Sequence, residues 1–311
     1  MTGYLAIDFG GTQLRAAWYN AAMQQVSRVQ TLSAVYRPQD DVLRHIVETA
    51  RSVIPAGETP LAIGMAAPGP LDVPGGTILH AETLPGWENV PIRKIVSEAF
   101  GGVPTFVQND GNLGAIAEAN AGAAIDADPM IYLTLSTGIG GGVIIGGRLF
   151  TGHGGLAAEP GHQLMRMPDG TVRKLEELAS GTALGRIATE TLLARPDVIT
   201  PLRNRGTLTG ADVGQAAANG DAFALGIVHE AMGWLGLGLV NLLHLFNPQI
   251  VVMGGSLTRL DGLLWNRIHE VVNTHILSPG FQPEHGFQRA ALMGDVCLVG
   301  AAFYAKSSFE T

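Results

Sequence analysis

The sequence predicts a two-domain α/β protein. Its 311 residues suffice for two domains of about 150 residues, each with a sizeable core. Short apolar segments typical of strands alternate with longer segments of helical spacing. A unit of strand, polar glycine turn and strand also occurs twice, at residues 8–12 and 136–142. The length therefore excludes a single small domain, and the alternation of elements indicates an α/β architecture.

The first strand is predicted over residues 4–8, and the turn at residues 9–12 leads into a second strand over residues 13–19. Leu14, Ala16 and Trp18 recur with period two in that second strand and share one face. The two strands therefore form a hairpin with glycines at its tip. Helix, strand, loop, strand and helix are then predicted over residues 40–54, 61–65, 67–72, 103–108 and 111–120. This order places Asp110 at the N-terminus of a helix.

The second half begins with the other glycine unit and continues mainly as helices. Strand, glycine turn and strand are predicted over residues 130–136, 137–142 and 143–145. Helices are predicted over residues 175–194, 211–219, 222–246, 260–276 and 300–306. Asp221 is a suitable N-cap for the longest of them. A strand over residues 250–253 runs directly into Gly254 and Gly255.

Composition limits the partners and the compartment. The chain carries 27 acidic and 19 basic side chains, a net charge of −8, and no stripe of Lys or Arg, so no nucleic-acid partner is expected. Its 42 glycines are about twice the usual share of 7%, which predicts backbone lying close to other groups. Because Cys297 is the only cysteine, it can form neither an internal disulfide nor a cysteine zinc site. A buried, inert thiol in a reducing compartment is expected.

The N-terminal residues lack the positive region and the long apolar run of a secretory signal. The most apolar stretch, residues 231–246, contains Asn241 and His244 and is shorter than the 18 or more apolar residues of a membrane span. A cytoplasmic protein without membrane contact is therefore predicted.

The two glycine turns suit phosphate binding. Successive backbone N–H groups of such turns point into one concavity, and the hydroxyls of Thr12 and Thr137 add donors. Asp8, beside the first turn, suits an Mg²⁺ ion held through water. Either turn alone is typical of an ordinary hairpin, but two turns with an adjacent Asp favour a nucleotide site. The common P-loop, dinucleotide, nucleophile-elbow and zincin motifs are absent from the sequence.

Seven motifs, taken in order, resemble the ROK family of repressors, open reading frames and kinases. They are Asp-Phe-Gly-Gly-Thr at 8–12, Pro-Gly-Pro-Leu-Asp at 68–72, Leu-Pro-Gly-Trp at 84–87, Asn-Asp-Gly-Asn at 109–112, Ser-Thr-Gly-Ile-Gly-Gly-Gly at 136–142, Glu-Pro-Gly-His at 159–162 and Met-Gly-Gly at 253–255. The resemblance implies the actin/hexokinase-like (ribonuclease H-like) fold, in which two α/β domains close on an interdomain cleft that holds ATP and a sugar. Residues 1–118 plus 292–311 are expected to form the smaller domain and 119–291 the larger one. It also implies a homodimer.

The resemblance further implies a role for individual residues, with Asp110 as the general base. The sugar-binding residues would be Gly69, Asn109, Asp110, Glu159, His162 and Glu176. The ATP-binding residues would be Gly10, Gly11, Thr12, Thr137, Gly138, Gly140, Gly254 and Gly255. Simpler interpretations remain open at three positions: a helix N-cap for Asp110, a turn residue for Asn109 and a rigid loop for Gly69.

One segment departs from the family pattern. Most members follow the Gly-His pair with a Cys-x-Cys-Gly-x-x-Gly-Cys stretch whose cysteines bind zinc, whereas residues 163–174 of this chain contain no cysteine. No zinc site is therefore expected. Packing of Leu164, Met165 and Val172 is expected to order the segment instead.

The function implied is an ATP-dependent hexose kinase that forms a sugar 6-phosphate, with glucose as the favoured substrate and Mg²⁺ as cofactor. N-acetylmannosamine, mannose, allose and fructose remain alternative substrates. A sugar-sensing repressor is disfavoured, because such proteins carry a helix-turn-helix domain ahead of the core and only seven residues precede Asp8 here. A non-catalytic sugar-binding protein is a third alternative.

Overall fold

The computed structural model describes residues 2–81 and 83–310. The strands are β1 (Gly3–Phe9), β2 (Gln13–Asn20), β3 (Gln25–Leu32), β4 (Pro60–Ala66), β5 (Leu71–Asp72), β6 (Thr77–His80), β7 (Glu88–Val90), β8 (Thr105–Gln108), β9 (Met130–Leu135), β10 (Ile139–Ile145), β11 (Arg148–Leu149), β12 (Leu164–Arg166), β13 (Val172–Lys174), β14 (Ile250–Gly254) and β15 (Phe287–Arg289). The α-helices are α1 (Gln39–Arg51), α2 (Ile92–Ala99), α3 (Asp110–Ala121), α4 (Glu176–Ala179), α5 (Gly181–Ala194), α6 (Gly210–Ala218), α7 (Ala222–Phe246), α8 (Gly262–His275) and α9 (Val296–Phe309).

The first five-stranded sheet has the order β3-β2-β1-β4-β8. The strands β1, β2 and β3 are antiparallel, as the predicted hairpin requires, and β4 and β8 run parallel to β1. Asp8 lies opposite Ala66, which in turn lies opposite Gln108. The carboxyl ends of three parallel strands therefore meet at one edge, where the turn after Asp8 and the start of α3 come together.

The second sheet has the equivalent order β11-β10-β9-β14-β15. Because β9 and β14 are parallel, with Thr134 opposite Gly254, the turns that follow these strands also share one edge. The glycine turn predicted at residues 137–142 is shorter than expected, since β10 already begins at Ile139. The physical reason is antiparallel pairing with β9, which already places Ile139 opposite Leu135, and α3 packs closely on the paired glycines: a Cβ at Gly142 would lie 2.9 Å from the Cα of Asn112.

The predicted helix over residues 175–194 is interrupted at Ser180. This residue has extended backbone angles, φ −83° and ψ 168°, and its hydroxyl accepts a hydrogen bond from the N–H of Ala183. It thus ends α4 and caps α5. The prediction for α7 is confirmed, including the cap by Asp221, whose carboxylate accepts from the N–H of Ala224 at 2.8 Å.

The prediction that Leu164, Met165 and Val172 together order residues 163–174 is wrong. Only Met165 is buried, whereas Leu164 is 71% exposed and Val172 57% exposed. The segment is a hairpin of β12 and β13, and alternate residues of a strand point to opposite faces, so Met165 alone reaches the core. The tip is closed by backbone pairing of residues 167 and 171, and Asp169 Oδ1 accepts from the N–H and hydroxyl of Thr171.

Two helices, α3 and α9, fill the space between the two sheets. The helix α9 packs on β1 and β4, α3 packs on β9 and β10, and the two helices pack against each other. Glycines permit this close approach: a Cβ at Gly64 would overlap the carbonyl oxygen of Ala301, and one at Gly300 would overlap that of Leu113. Close backbone contacts therefore join the first sheet to α9, at Gly64 and Ala301, and α9 to α3, at Gly300 and Leu113. The domain boundaries at residues 118 and 292 stay a prediction, and α3 spans the first of them.

The helix α7 is long and apolar enough, by length and composition alone, to cross a membrane. In the fold, however, 56% of its most apolar 18-residue window is buried. Its buried side chains, including Met232, Leu235 and Leu239, belong to the core of the second sheet. The apolar composition of α7 is therefore explained by its packing in the core beside the second sheet.

We expect Gly300→Ala to lower the free energy of unfolding by about 1–3 kcal/mol, because the added methyl group overlaps the backbone of α3. Gly226→Ala, in the interior of α7 with open space around it, is the matched control. It should stabilise the protein by up to about 1 kcal/mol, since Ala is the better helix former. Urea denaturation of both variants measures the difference, and equal stability of the two would contradict the account of the helix contact.

Candidate functional site

The catalytic candidate Asp110 is the first residue of α3. Asn109, with extended backbone angles, supplies the N-cap, and its Oδ1 accepts from the N–H of Asn112 at 2.8 Å. The capping role weighed for Asp110 therefore belongs to Asn109. Asp110 Oδ1 accepts from the N–H of Gly111 at 2.8 Å, and a Cβ at Gly140 in the second sheet would lie 3.9 Å from that same oxygen. Asp110 thus lies where the two sheets approach each other.

Protein atoms surround Asp110 on most sides, although its side chain remains accessible to solvent. Burial raises the pKa of its carboxyl group, and hydrogen bonds from the backbone, led by the N–H of Gly111, oppose that rise. A carboxylate with a raised pKa is a stronger proton acceptor than one in water, and it is within reach of a ligand.

Asp8 forms an ion pair with Arg15, with 3.0 Å between Oδ2 and Nη1. Arg15 also donates to the carbonyl oxygen of Gly294 at 2.7 Å. Burial raises the pKa of Asp8 to about 6; the Arg15 guanidinium opposes this rise, and the negative charges of Asp110 and Asp295 add to it. The negative charge of Asp110 therefore acts on Asp8 and makes its ionisation less favourable.

Arg15 is a site residue that the motifs missed. The signal was available in the predicted hairpin, because counting back from its glycine tip pairs Phe9 with Leu14 and Asp8 with Arg15. The cross-strand register, and not a motif, therefore identifies Arg15 as the partner of Asp8, the candidate Mg²⁺ ligand.

The first glycine turn is partly closed on itself. The N–H of Gly10 donates to the carbonyl oxygen of Gln13 at 3.0 Å, so this donor is used within the hairpin. Gly11 lies beside Thr83, whose Cβ would be 2.9 Å from a Cβ at that glycine, and Thr12 is exposed. Gly11 and Thr12 are therefore better placed than Gly10 to offer donors to a phosphate.

Asp8 has the chemistry that Mg²⁺ requires. A carboxylate at the edge of the sheet, next to a turn suited to phosphates, can hold Mg²⁺ with the remaining positions filled by water and phosphate oxygens. Within the described residues no group of three or more His, Cys, Asp or Glu side chains could hold a metal ion by itself. The donor set therefore fits an Mg²⁺ ion that arrives with the nucleotide.

Glu159, His162 and Glu176, at or in short helical segments beside the second sheet, lie close together. His162 Nε2 is 3.8 Å from Glu176 Oε1, and Glu176 Oε2 accepts from the N–H of Ile139 at 3.3 Å. Burial raises the pKa of Glu159; the charge of His162 opposes the rise, and those of Asp110 and Glu176 add to it. Glu159 therefore interacts electrostatically with Asp110 at the start of α3 as well as with His162 and Glu176. We call Asp110, Glu159, His162 and Glu176 the polar cluster.

Two further sugar candidates lie at the edge of the first sheet. Asn109 has its Oδ1 engaged in the helix cap, which leaves its amide nitrogen as the group for a ligand. Gly69 follows β4 by three residues, and no contact in the described structure joins it to the polar cluster. Its role stays a prediction.

A cavity of about 1330 Å³ adjoins the second sheet. Thr137, following β9, and Ser256, following Gly255, line it, as do Thr209, Asn266 and Arg267 on the surrounding helices and loops. Only Thr137 among the predicted ATP residues lines this cavity. Ser136, from the same motif, also lines the cavity, whereas the lining residues on the surrounding helices belong to none of the seven motifs.

The remaining ATP candidates do not line this cavity. A Cβ at Gly138 would lie 2.8 Å from Glu176 Oε2, which places the second phosphate turn against the polar cluster. Gly254 is packed against Tyr132, and Gly255, at φ +89°, passes close to the backbone of Leu135. These two glycines therefore allow β14 to turn toward the cavity, and contact with adenosine stays a prediction.

The chain resembles known proteins in both sequence and fold. The ROK family model matches residues 4–308. The glucokinase of Thermotoga maritima is 31% identical over 311 residues, covering 97% of this chain and 96% of that protein.

Two solved structures share the fold over nearly their whole length. A ROK hexokinase from Thermus thermophilus superposes with a TM-score of 0.84 at 31% identity, covering 99% of this chain and 100% of that one. A ROK family glucokinase from Streptomyces griseus, in complex with glucose and AMPPNP, gives a TM-score of 0.77 at 30% identity, covering 98% and 99% of the two chains. The predicted actin/hexokinase-like fold is confirmed, and the chain belongs to the ROK family.

Proposed function

We propose that the protein is an ATP-dependent hexose kinase that transfers the γ-phosphoryl group of ATP to the 6-hydroxyl group of a sugar. The observation that carries this proposal is the position of Asp110. Its carboxylate lies at the meeting point of the two sheets, within electrostatic reach of Glu159 in the polar cluster. A proton acceptor and a set of hydroxyl-binding groups therefore face the same space.

The reaction requires one proton transfer and one displacement. Asp110 accepts the proton of the sugar 6-hydroxyl group while the oxygen of that hydroxyl group attacks the γ-phosphorus atom. The bond between that phosphorus and the bridging oxygen breaks, and ADP leaves with the bond's electron pair. Phosphoryl transfer depends mainly on positioning and electrostatic stabilisation, so one well-placed base suffices.

The polar cluster has the chemistry of a sugar site. Glu159 and Glu176 offer carboxylate acceptors, and His162 offers an imidazole donor, to the neighbouring hydroxyl groups of a hexose ring. Glucose is the substrate that we propose, supported by the relatives named glucokinase. N-acetylmannosamine, mannose, allose and fructose present similar hydroxyl groups and are the alternatives to be compared directly.

The donor nucleotide would lie along the edge of the second sheet. Thr137 and the cavity beside it would receive the adenosine and phosphates, and Gly11 and Thr12 would contact the terminal phosphates from the first sheet. Asp8 would hold Mg²⁺ through water, and the bound ion would neutralise charge on the β- and γ-phosphates. Closure of the two domains over the sugar would exclude water and limit hydrolysis of ATP.

We expect Asp110→Asn to lower kcat by about a thousandfold or more while sugar binding is largely kept, because the variant removes the base and preserves the shape of the site. ADP release, measured with each of the five sugars for wild type and variant, tests this. Calorimetric titration with the preferred sugar measures binding.

Glu177→Gln is the control for this experiment. Glu177 is exposed and lies next to Glu176 in the chain, but its carboxylate accepts from the N–H of Lys174 instead of joining the polar cluster. This variant should phosphorylate sugars at the wild-type rate. Undiminished turnover by Asp110→Asn would contradict the proposed mechanism.

The raised pKa of Asp8 predicts a pH-dependent effect on stability. Its ordinary value is 3.8 and its value in the fold is about 6, so the folded protein binds the proton more tightly than the unfolded chain between those two values. Ionisation of Asp8 therefore costs stability as the pH rises from 4 to 6, by about 3 kcal/mol in total.

Asp8→Asn removes this cost. Relative to wild type without nucleotide, the variant should gain stability as the pH rises from 4.5 to 7.5, measured by urea denaturation at each pH. Asp40→Asn, at an exposed position on α1, controls for the loss of one acidic charge. A stability difference between Asp8→Asn and wild type that stays constant with pH would show that Asp8 is not desolvated as described.

A further inference from the structure

Glu118, near the end of α3, is the only acidic or basic residue without exposed surface in the described part of the chain. Its carboxylate accepts three backbone hydrogen bonds: Oε2 from the N–H of Ala123 at 2.7 Å and of Ala291 at 3.1 Å, and Oε1 from the N–H of Leu292 at 3.0 Å. No Arg, Lys or His forms an ion pair with it among the residues described. The carboxylate is thus satisfied entirely by backbone donors.

Two of these donors, Ala291 and Leu292, belong to the second passage of the chain between the sheets, whereas Ala123 directly follows α3. Residues 290–295 leave β15 of the second sheet and lead into α9, which packs on the first sheet. The helix α3 is part of the first passage, between β8 and β9. Glu118 therefore bonds one passage to the other, eight residues along α3 from Asp110.

The same connection is held from its other side. Arg15, the partner of Asp8, donates to the carbonyl oxygen of Gly294, two residues beyond Leu292. A series of bonds therefore runs from Asp8 through Arg15 to residues 291–294 and through Glu118 to the helix that begins with Asp110.

Burying a carboxylate is costly unless hydrogen bonds compensate for its lost hydration. An apolar side chain at this position would fill the same space without that cost. The carboxylate does what an apolar side chain cannot, because its two oxygens fix the backbone of residues 291 and 292 at a set distance from α3.

We propose that Glu118 is a positioning residue for the phosphoryl transfer, fixing the connection at residues 290–295 against α3 and so setting the distance between the Asp8 and Asp110 carboxylates. The inference rests on the proposed kinase activity. Displacement of reacting groups by about 1 Å can reduce a rate a hundredfold, so a small shift of this connection would slow the phosphoryl transfer.

Hydrogen exchange tests the bonds themselves and requires no substrate. Ala291 is exposed and lies outside any helix or strand, so no hydrogen bond of a helix or sheet protects its amide. Slow exchange at Ala291 and Leu292 in the wild-type protein, at least about a hundredfold slower than in an unprotected chain, is expected. Fast exchange at both amides would overturn the proposal.

Kinetics of Glu118→Gln test the positioning role. The glutamine amide has one acceptor oxygen, and its NH₂ group cannot accept the hydrogen bonds that the second carboxylate oxygen accepted. At least one backbone N–H group therefore loses its partner, and amide exchange at residues 291 and 292 should accelerate. We expect kcat to fall about tenfold or more while KM for the sugar changes by less than about threefold. Glu98→Gln, at an exposed position on α2, is the control with unchanged kinetics.

A purely structural role would lower the melting temperature but leave kcat per folded molecule at the wild-type value, and that result would overturn the proposal. If Glu118→Gln does not fold, Glu118→Asp, which keeps the charge on a shorter side chain, is measured in the same way with the same two outcomes. A wild-type protein inactive on every sugar would contradict the proposed function. The exchange data would still decide whether Glu118 holds the amides of Ala291 and Leu292.

Discussion

The close contact between α9 and α3 is the constraint on which the rest of the structure depends. Two five-stranded sheets with the same strand order present their carboxyl edges to a common space, and the two helices between them set the separation. Gly64 and Gly300 bring backbone against backbone along this path, and Gly111 in α3 approaches Gly141 in β10 in the same manner. Any larger side chain would push the sheets apart, because protein interiors contain no space to absorb it.

This separation explains the electrostatics of the site. Asp8 lies in β1 of the first sheet and Asp110 begins α3 just after β8, while Glu159 and Glu176 lie in a loop and a short helix beside the second sheet. Burial raises the pKa values of Asp8, Asp110 and Glu159, and like charges of neighbouring carboxylates add to the rise for Asp8 and Glu159. Arg15 supplies the one positive charge that contacts Asp8 directly in the described structure. A fold that concentrates carboxylates in this way suits ligands that bring hydroxyl groups and a divalent cation.

Much of the fold could be predicted from the sequence where local rules decide. The hairpin around Gly10 and Gly11, the long helix after Asp221 and the helix that starts at Asn109 and Asp110 all follow from turn, cap and periodicity signals. The residues of the polar cluster came from the family resemblance, and the structure brings them together.

Features that depend on tertiary packing could not be predicted. Gly140 to Gly142 look like a turn in the sequence but form a strand, because they pair with β9 and α3 packs against them. The hairpin at residues 163–174 takes its order from backbone pairing and Met165, which apolar composition alone did not distinguish from Leu164 and Val172. Glu118 carries no motif, and only its contacts reveal it.

In the proposed reaction one sugar binds where the edges of the two sheets face each other, with Asp110 on one side and Glu159, His162 and Glu176 on the other. A crystal structure of the protein with glucose and AMPPNP tests this most directly. The sugar 6-hydroxyl oxygen is expected within about 3 Å of an Asp110 carboxylate oxygen and directed toward the γ-phosphate, with ring hydroxyl groups bonded to the other three residues. A sugar bound elsewhere, or bound here with its 6-hydroxyl group directed away from Asp110, would contradict it.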